Sequence, residues 1–318
     1  MTESAKYLKG KFFNQVETAM NPEDSSMLDA LRKLLRGIPN RKPDQAIQTT
    51  KFEKSFLENQ KNKNRFIWFG HSSFFLIIDG TKILVDPVFG KSVSPVPFVG
   101  PKPFSYSNPY TADQLSEIDV VLISHDHYDH LDKSTIQNIH QRVQLFLTPL
   151  GVGKYLRKWG VSPDKVHELD WGMEYLFQDR LKLIAQSGRH FSGRGLRNRM
   201  STLWCSWIIE TENKKIFYSG DSGYGPHFKE FGEKYGPFDL AFLECGQYNE
   251  NWPLIHMMPE ETVQAAIDIK SRVFVPVHWG KFAISLHPWE ESPERAKKEA
   301  ESRNQSILLP GIGEIIQF

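Results

Sequence analysis

The sequence predicts an α/β (α+β) protein, a four-layer αββα sandwich in which two sheets are covered by helices. Two observations carry this. Short apolar runs rich in Val, Ile, Phe and Trp recur from Arg65 to the C-terminus, with helical patterns between several of them. Segments rich in His and Asp then follow the apolar runs, as residues gathered at one edge between two sheets would. The strand-like runs begin with RFIWFG, SFFLIID and TKILVD, the last two joined by a tight Asp79-Gly80 turn. DVVLIS, QLFLTP, LKLIAQ, WCSWIIE, KIFYSG, DLAFLE and RVFVPVHW continue the series. Helical spacing spans Ser134 to His140, Leu150 to Trp159, Pro226 to Tyr235, Glu260 to Lys270 and Pro293 to Arg303. No internal repeat interrupts them.

Composition narrows the class. A hydrophobic content of 40% in 318 residues supports a sizeable core, and a net charge of +1 gives no reason to expect nucleic acid as a partner. Only Cys205 and Cys245 are present, so neither a disulfide framework nor a CxxC zinc pattern exists. No apolar run approaches the roughly 18 residues of a membrane span, and MTESAKYLKGKFF lacks a secretory apolar core. A cytoplasmic location is the expectation.

Residues 1–64 read as a polar N-terminal extension, and 65–318 as the main domain. Within the extension, Met27, Leu28, Leu31, Leu34, Leu35 and Ile38 form one helical stripe, with Ser25 or Ser26 as cap and Gly37 as stop. Such a helix packs on the main domain or, with Arg32, Lys33 and Arg36 beside the stripe, touches a membrane surface peripherally. The extension offers no metal ligand, so it is expected to be dispensable for metal binding.

VLISHDHYDHLD is the most informative stretch. His125 and His127, two apart, project to one side of extended backbone. Asp129 and His130 follow as the chain turns, and Asp132 is placed to cap the next helix. Crowded carboxylates and imidazoles are unfavourable without a counter-charge, which a divalent cation provides. His190, Asp221 and His278 each end a later strand-like run and extend the candidate ligand set.

The ordered set HxHxDH, a later His, the Asp of GDSGY and the His of VHWG resembles the metallo-β-lactamase superfamily. WFGHSSFFLIIDGTKILVDPVF, SPVPFVGPKPF, HMMPEETVQAA and PVHWGKFAISLHPWEESPERA are most similar to its N-acylphosphatidylethanolamine phospholipase D branch, from about Phe66 onward. LECGQY departs from the mammalian pattern. The resemblance implies His125, His127 and His190 on one zinc, Asp129, His130 and His278 on a second, and Asp221 bridging. It implies that His71 and Asp86 orient ligand imidazoles through hydrogen bonds. His256 and Asp129 become the candidate catalytic residues, His256 to contact a substrate phosphate or protonate the leaving oxygen.

A pair of Zn2+ ions, or Fe or Mn in the same donor set, would lower the pKa of bound water toward about 7 and provide a bridging hydroxide as nucleophile. No GxSxG motif competes for that role. Arg189, Arg194, Arg197 and Arg199 stand near His190, either as phosphate forks or as a solvated loop. Val93, Val96, Phe98, Val99, Phe104 and Tyr106 in a proline-stiffened loop either line an acyl groove or pack beneath the loop. A phosphodiesterase acting on a lipid or small-molecule phosphodiester is the leading reading, since the mammalian enzymes of the branch release N-acylethanolamine and phosphatidic acid. The alternative is a metallo-hydrolase of another soluble phosphodiester or a lactone. A di-iron redox protein would call for a carboxylate-richer motif, and a non-enzymatic scaffold would tolerate ligand losses that this sequence does not show.

Overall fold

The computed structural model describes residues 4–19, 37–57, 63–96, 100–195 and 198–318. The expected helix through Met27, Leu28, Leu31, Leu34 and Leu35 lies outside these residues, with its flanking Ser25, Ser26, Arg32, Lys33 and Arg36, as do Phe98, Val99 and Arg197.

A small antiparallel hairpin, β1 (Lys6–Leu8) and β2 (Lys11–Phe13), comes first. β3 (Arg65–Trp68), β4 (Phe74–Ile78), β5 (Thr81–Val85) and β6 (Ile118–Leu122) follow. With β7 (Val143–Pro149), β8 (Val166–Leu169) and the C-terminal β15 (Ile315–Gln317), they form a seven-stranded sheet ordered β15-β3-β4-β5-β6-β7-β8. The second sheet has six strands. These are β9 (Glu174–Phe177), β10 (Leu181–Gln186), β11 (Ser206–Glu210), β12 (Lys215–Tyr218), β13 (Leu240–Glu244) and β14 (Phe274–Val277), in sequential spatial order. β8, β9 and β15 escape a reading by apolar runs because VHEL, EYLF and IIQ are short edge strands with mixed exposure.

The sheets meet through large side chains that the alternation of each strand turns inward. Phe74 of β4 stacks on Phe242 of β13 with ring centroids 3.9 Å apart, and Phe66 meets the same ring edge-on at 4.9 Å. The outer layers are α1 (Lys133–Ile139) and α2 (Gly153–Lys158) on the first sheet, and α3 (His227–Lys234), α4 (Pro259–Asp268) and α5 (Glu291–Ser302) on the second. α1 and α2 contribute Ile136, Ile139 and Leu156 to the main core. Phe228, Phe231, Val263, Ala266 and Ala296 form a second core against β11–β14. This is a four-layer αββα sandwich.

Asp132 caps α1 by accepting from Ser134 N and Thr135 N. The N-terminal segments lie on the same body. Phe52 and Phe56 join the main core, and Arg65 donates from Nη2 to Phe56 O at 2.7 Å.

Candidate metal centre

Strand ends deliver the site. β6 runs out at Leu122, and the turn after it carries His125, His127, Asp129 and His130. β10 leads to His190, β12 to Asp221 and β14 to His278. Gly220, with φ +57, lets the chain turn into Asp221 where an added Cβ would stand 2.7 Å from Cys205 O. His71, Asp86 and His278 themselves adopt positive φ of 55°, 38° and 72°. Such backbone costs about 1–3 kcal/mol per residue and persists only where surroundings over-determine it. Here His71 N donates to Trp279 O at 2.6 Å and His278 N to His71 O at 3.0 Å, so the two turns fix one another.

Two groups of candidate ligand atoms form around the HxHxDH turn, each within 4.8 Å: His125, His127, His190 and Asp221; and His71, Asp129, His130 and His278; a third, Asp221, Glu244, His256 and His278, shares members with them. In the first, His127 Nδ1 lies 2.9 Å from His125 Nε2 and 3.2 Å from His190 Nε2. Asp221 reaches both groups. Its Oδ2 is 3.8 Å from His125 Nε2, 3.8 Å from His190 Nε2 and 3.2 Å from His278 Nε2, while Oδ1 is 3.2 Å from His130 Nε2. His190 and His278 thus approach a single carboxylate oxygen.

The outward ring nitrogens are already engaged. His130 Nδ1 donates to Asp86 Oδ2 at 2.7 Å, His190 Nδ1 to Ile255 O at 2.9 Å and His278 Nδ1 to Gly246 O at 3.1 Å. Fixing Nδ1–H outward leaves Nε2 lone pairs converging inward. His130 Nε2, His278 Nε2 and Asp221 Oδ1 are buried without a hydrogen-bond partner. Buried orphans of this kind are costly, and convergent imidazole and carboxylate donors fit divalent cations.

Electrostatics agree with that fit. Burial holds His125 and His190 well below the ordinary imidazole range, and lowers His127 as well. Burial acts the same way on His130 and His278, but Asp221 and Asp129 outweigh it, raising His130 strongly and His278 to about 10. Burial works against the charge on Asp129 and Asp221, yet their imidazolium neighbours keep both well below the usual carboxylate range. In the protein alone, protons on two histidines supply the positive charge that these carboxylates require.

Asp86 gathers Tyr218 Oη at 2.6 Å, Ser124 Oγ at 2.5 Å and Ser124 N at 2.7 Å in addition to His130. His71 was expected to orient an imidazole, but its Nε2 pairs instead with Asp129 Oδ2 at 2.9 Å, and burial depresses it to about 3. His256 lies against the site, its ring 5.1 Å from His190 and 5.2 Å from His278.

Three contributors have no counterpart in the sequence reading. Glu244, at the end of β13, is buried and accepts His256 Nδ1–H on Oε2 at 2.8 Å and Met257 N–H on Oε1 at 2.5 Å. The only signal for it was a carboxylate ending a strand, in the LECGQY stretch that departs from the mammalian pattern. Tyr218 gave no signal beyond its place before Asp221. Asn14, from the N-terminal extension, donates to His190 O at 2.8 Å and accepts from His190 N at 3.1 Å. The extension therefore reaches the backbone of a candidate ligand, which the expectation of dispensability did not foresee.

The arginines are mostly committed elsewhere. Arg189 donates to Glu17 O, Thr18 Oγ1 and Tyr224 O, and Arg194 to Asp126 O and Leu131 O while its guanidinium sits 3.8 Å from the Tyr128 ring. Arg194 thereby ties the His190 loop to the HxHxDH turn. Arg199 rests over Phe191 at 4.9 Å. In the proline-stiffened loop, Val93 and Phe104 are buried, Tyr106 Oη donates to Gly280 O at 2.8 Å, and Val96 is exposed.

Residues 81–279 match the model of the beta-lactamase superfamily domain. A Mycobacterium tuberculosis protein described only as uncharacterized is 45% identical over 248 residues, which cover 76% of this chain and 66% of that protein, just under two thirds of its length. The N-acyl-phosphatidylethanolamine-hydrolyzing phospholipase D 1 of Caenorhabditis elegans is 31% identical over 265 residues, 78% of this chain and 74% of that protein. A metallo hydrolase from Ignicoccus hospitalis has the same fold, with a TM-score of 0.61 at 21% identity over 81% of this chain and 99% of that one. With the family model spanning most of the two sheets and a 31% identical relative covered to 74% of its length, the chain belongs to the beta-lactamase superfamily.

Proposed function

We propose that the protein is a phosphodiesterase of phospholipase D type that works with two divalent cations, zinc foremost. The observation that carries the reading is Asp221, whose oxygens lie 3.2 Å from the His130 and His278 imidazoles of one ligand group and 3.8 Å from the His125 and His190 imidazoles of the other. His125, His127 and His190 would hold one cation, Asp129, His130 and His278 the other, with Asp221 shared. Bound cations supply a water of lowered pKa and positive charge beside phosphoryl oxygens. The likeness to a phospholipase D that hydrolyses N-acyl-phosphatidylethanolamine supports a lipid phosphodiester as substrate.

The chain's own residues account for the rest. Hydrolysis adds a water oxygen to phosphorus, breaks one P–O ester bond and delivers a proton to the departing oxygen. His256 stands against the ligand imidazoles with a partly exposed side chain, and Glu244 takes its Nδ1–H. Nε2 is the nitrogen left to hold or protonate that oxygen. Asp86 and the Gly246 carbonyl keep His130 and His278 turned toward the site.

The test combines elemental analysis of the purified protein with turnover of bis(p-nitrophenyl) phosphate, N-acyl-phosphatidylethanolamine and a simple lactone. Two equivalents of metal per chain, with phosphatidic acid released from the lipid, is the expected result. Lactone opening without phosphodiester turnover would replace this reading.

A further inference from the structure

We propose that the β1–β2 hairpin and the groove behind it form a docking surface for an anionic lipid bilayer, placed to admit a lipid-borne substrate beside His190. The docking half stands on its own; the delivery half rests on the proposed phosphodiesterase reading.

In the hairpin's antiparallel register Lys6 lies opposite Phe13 and Leu8 opposite Lys11, so these four side chains share one face while Tyr7 and Phe12 share the other. Phe12 is buried with its ring 4.6 Å from Tyr7, and Phe12 N donates to Met200 O at 2.8 Å, which seats the hairpin on the body. The opposite face is left to solvent. Leu8 is 52% and Phe13 40% exposed, with Tyr7 at 59% on the rim. Lys6 and Lys11 flank the two apolar side chains, Lys9 occupies the turn, and no acidic residue lies between positions 6 and 13. An exposed apolar pair ringed by lysines matches the boundary between acyl chains and anionic headgroups, where apolar groups are buried and amines meet phosphates. A nucleic acid would satisfy the lysines and leave Leu8 in water.

The surface continues inward. A cavity of about 640 Å³ opens beside β2, lined by Phe13, Val16 and Met200 with Lys11 and Arg199, and by Glu17 and Thr18 farther along the chain from the hairpin turn. Asn14, on the same wall, is the residue bonded to both backbone groups of His190. Arg199 covers Phe191, whose ring lies 4.7 Å from His127 and 4.8 Å from His190. The groove is therefore one residue away from His127 and His190, through Asn14 and Phe191. It offers apolar lining with two cationic side chains against the single carboxylate of Glu17, a net positive surround suited to an acyl chain attached to a phosphate.

Co-sedimentation of the metal-loaded full chain with vesicles tests the docking. Vesicles of equal phosphatidylcholine and phosphatidylserine should carry the protein down, and pure phosphatidylcholine vesicles should not. Each of Lys6→Gln, Lys9→Gln and Lys11→Gln should weaken partitioning about fivefold, and the triple variant on the order of a hundredfold. Leu8→Ser should also weaken it, whereas Lys229→Gln, at an exposed site on α3, should not. Metal content of each variant reports folding. Absence of binding to either vesicle, equal binding to both, or equal losses from Lys6→Gln and Lys229→Gln would overturn the proposal, as would binding to single-stranded nucleic acid in place of vesicles. The assay involves no turnover, so its failure leaves the phosphodiesterase reading standing. Bound but catalytically inert protein would remove only that reading.

Discussion

Buried Glu244 and partly exposed His256 form a pair in which Oε2 accepts the imidazole Nδ1–H at 2.8 Å while Oε1 holds Met257 N. One carboxylate thus fixes both the backbone and the ring of the residues that follow Ile255. Burial raises the Glu244 carboxyl and the neighbouring His256 opposes that rise. Glu244→Gln keeps the shape but has only one oxygen for two donors, so the ring loses its anchor or reverses its tautomer. Turnover should fall about 10- to 100-fold with metal content intact. His256→Ala should be no worse in the Glu244→Gln background than alone, a non-additivity read from a double-mutant cycle.

Asp221→Ala should fail differently from His256→Ala. Asp221 contacts imidazoles of both ligand groups, so its loss should strip metal and activity together. His256 is assigned no cation, so its alanine variant should stay metal-replete and turn over poorly, as when a transition-state contact is lost. Elemental analysis beside phosphodiester turnover checks both. A metal-replete, active Asp221→Ala protein would end the shared-ligand assignment.

Asn14→Ala should weaken metal binding although Asn14 is not a ligand. Without its amide, the peptide N–H and C=O of His190 lose both partners, and the ligand loop loosens. A fall in zinc affinity of roughly tenfold is expected, within the range for supports one layer out from a metal, and competition with a chelator measures it. A chain beginning near Asn64 should show the same defect.

Metal uptake should release protons and weaken in acid. His278 is held at about 10 in the metal-free protein by Asp221 and Asp129, and His130 is raised by the same carboxylates. Near neutrality both carry protons that a cation must displace, so affinity rises as pH rises. Zinc titrations in buffers of different ionisation enthalpy count the protons; a count near zero would contradict the assignment of His130 and His278.

Asp86→Ala should destabilise the metal-free protein by about 3 kcal/mol, because Tyr218 Oη, Ser124 Oγ and His130 Nδ1 all lose a buried acceptor. Urea denaturation in the presence of chelator isolates this from metal linkage. A change under about 1 kcal/mol would mean that the freed donors find other partners.

The sequence by itself determined the layered architecture and which segments carry the candidate ligands. Apolar runs and helical spacing are local properties, and HxHxDH packs four donors into six positions where no long-range information is needed. His190, Asp221 and His278 were visible because each ends such a run. What only the tertiary structure decided are partnerships across large sequence distances. Asn14 reaches His190 across 176 positions and Tyr218 reaches Asp86 across 132, and no local pattern encodes either. Arg189 and Arg194 read as possible phosphate ligands because arginine type and position are local, whereas the backbone carbonyls that occupy their guanidinium groups are not. The roles of Glu244 and of the outward-facing hairpin were likewise hidden. Burial of a carboxylate, and exposure of Leu8 and Phe13, are set by what the rest of the chain places beside them.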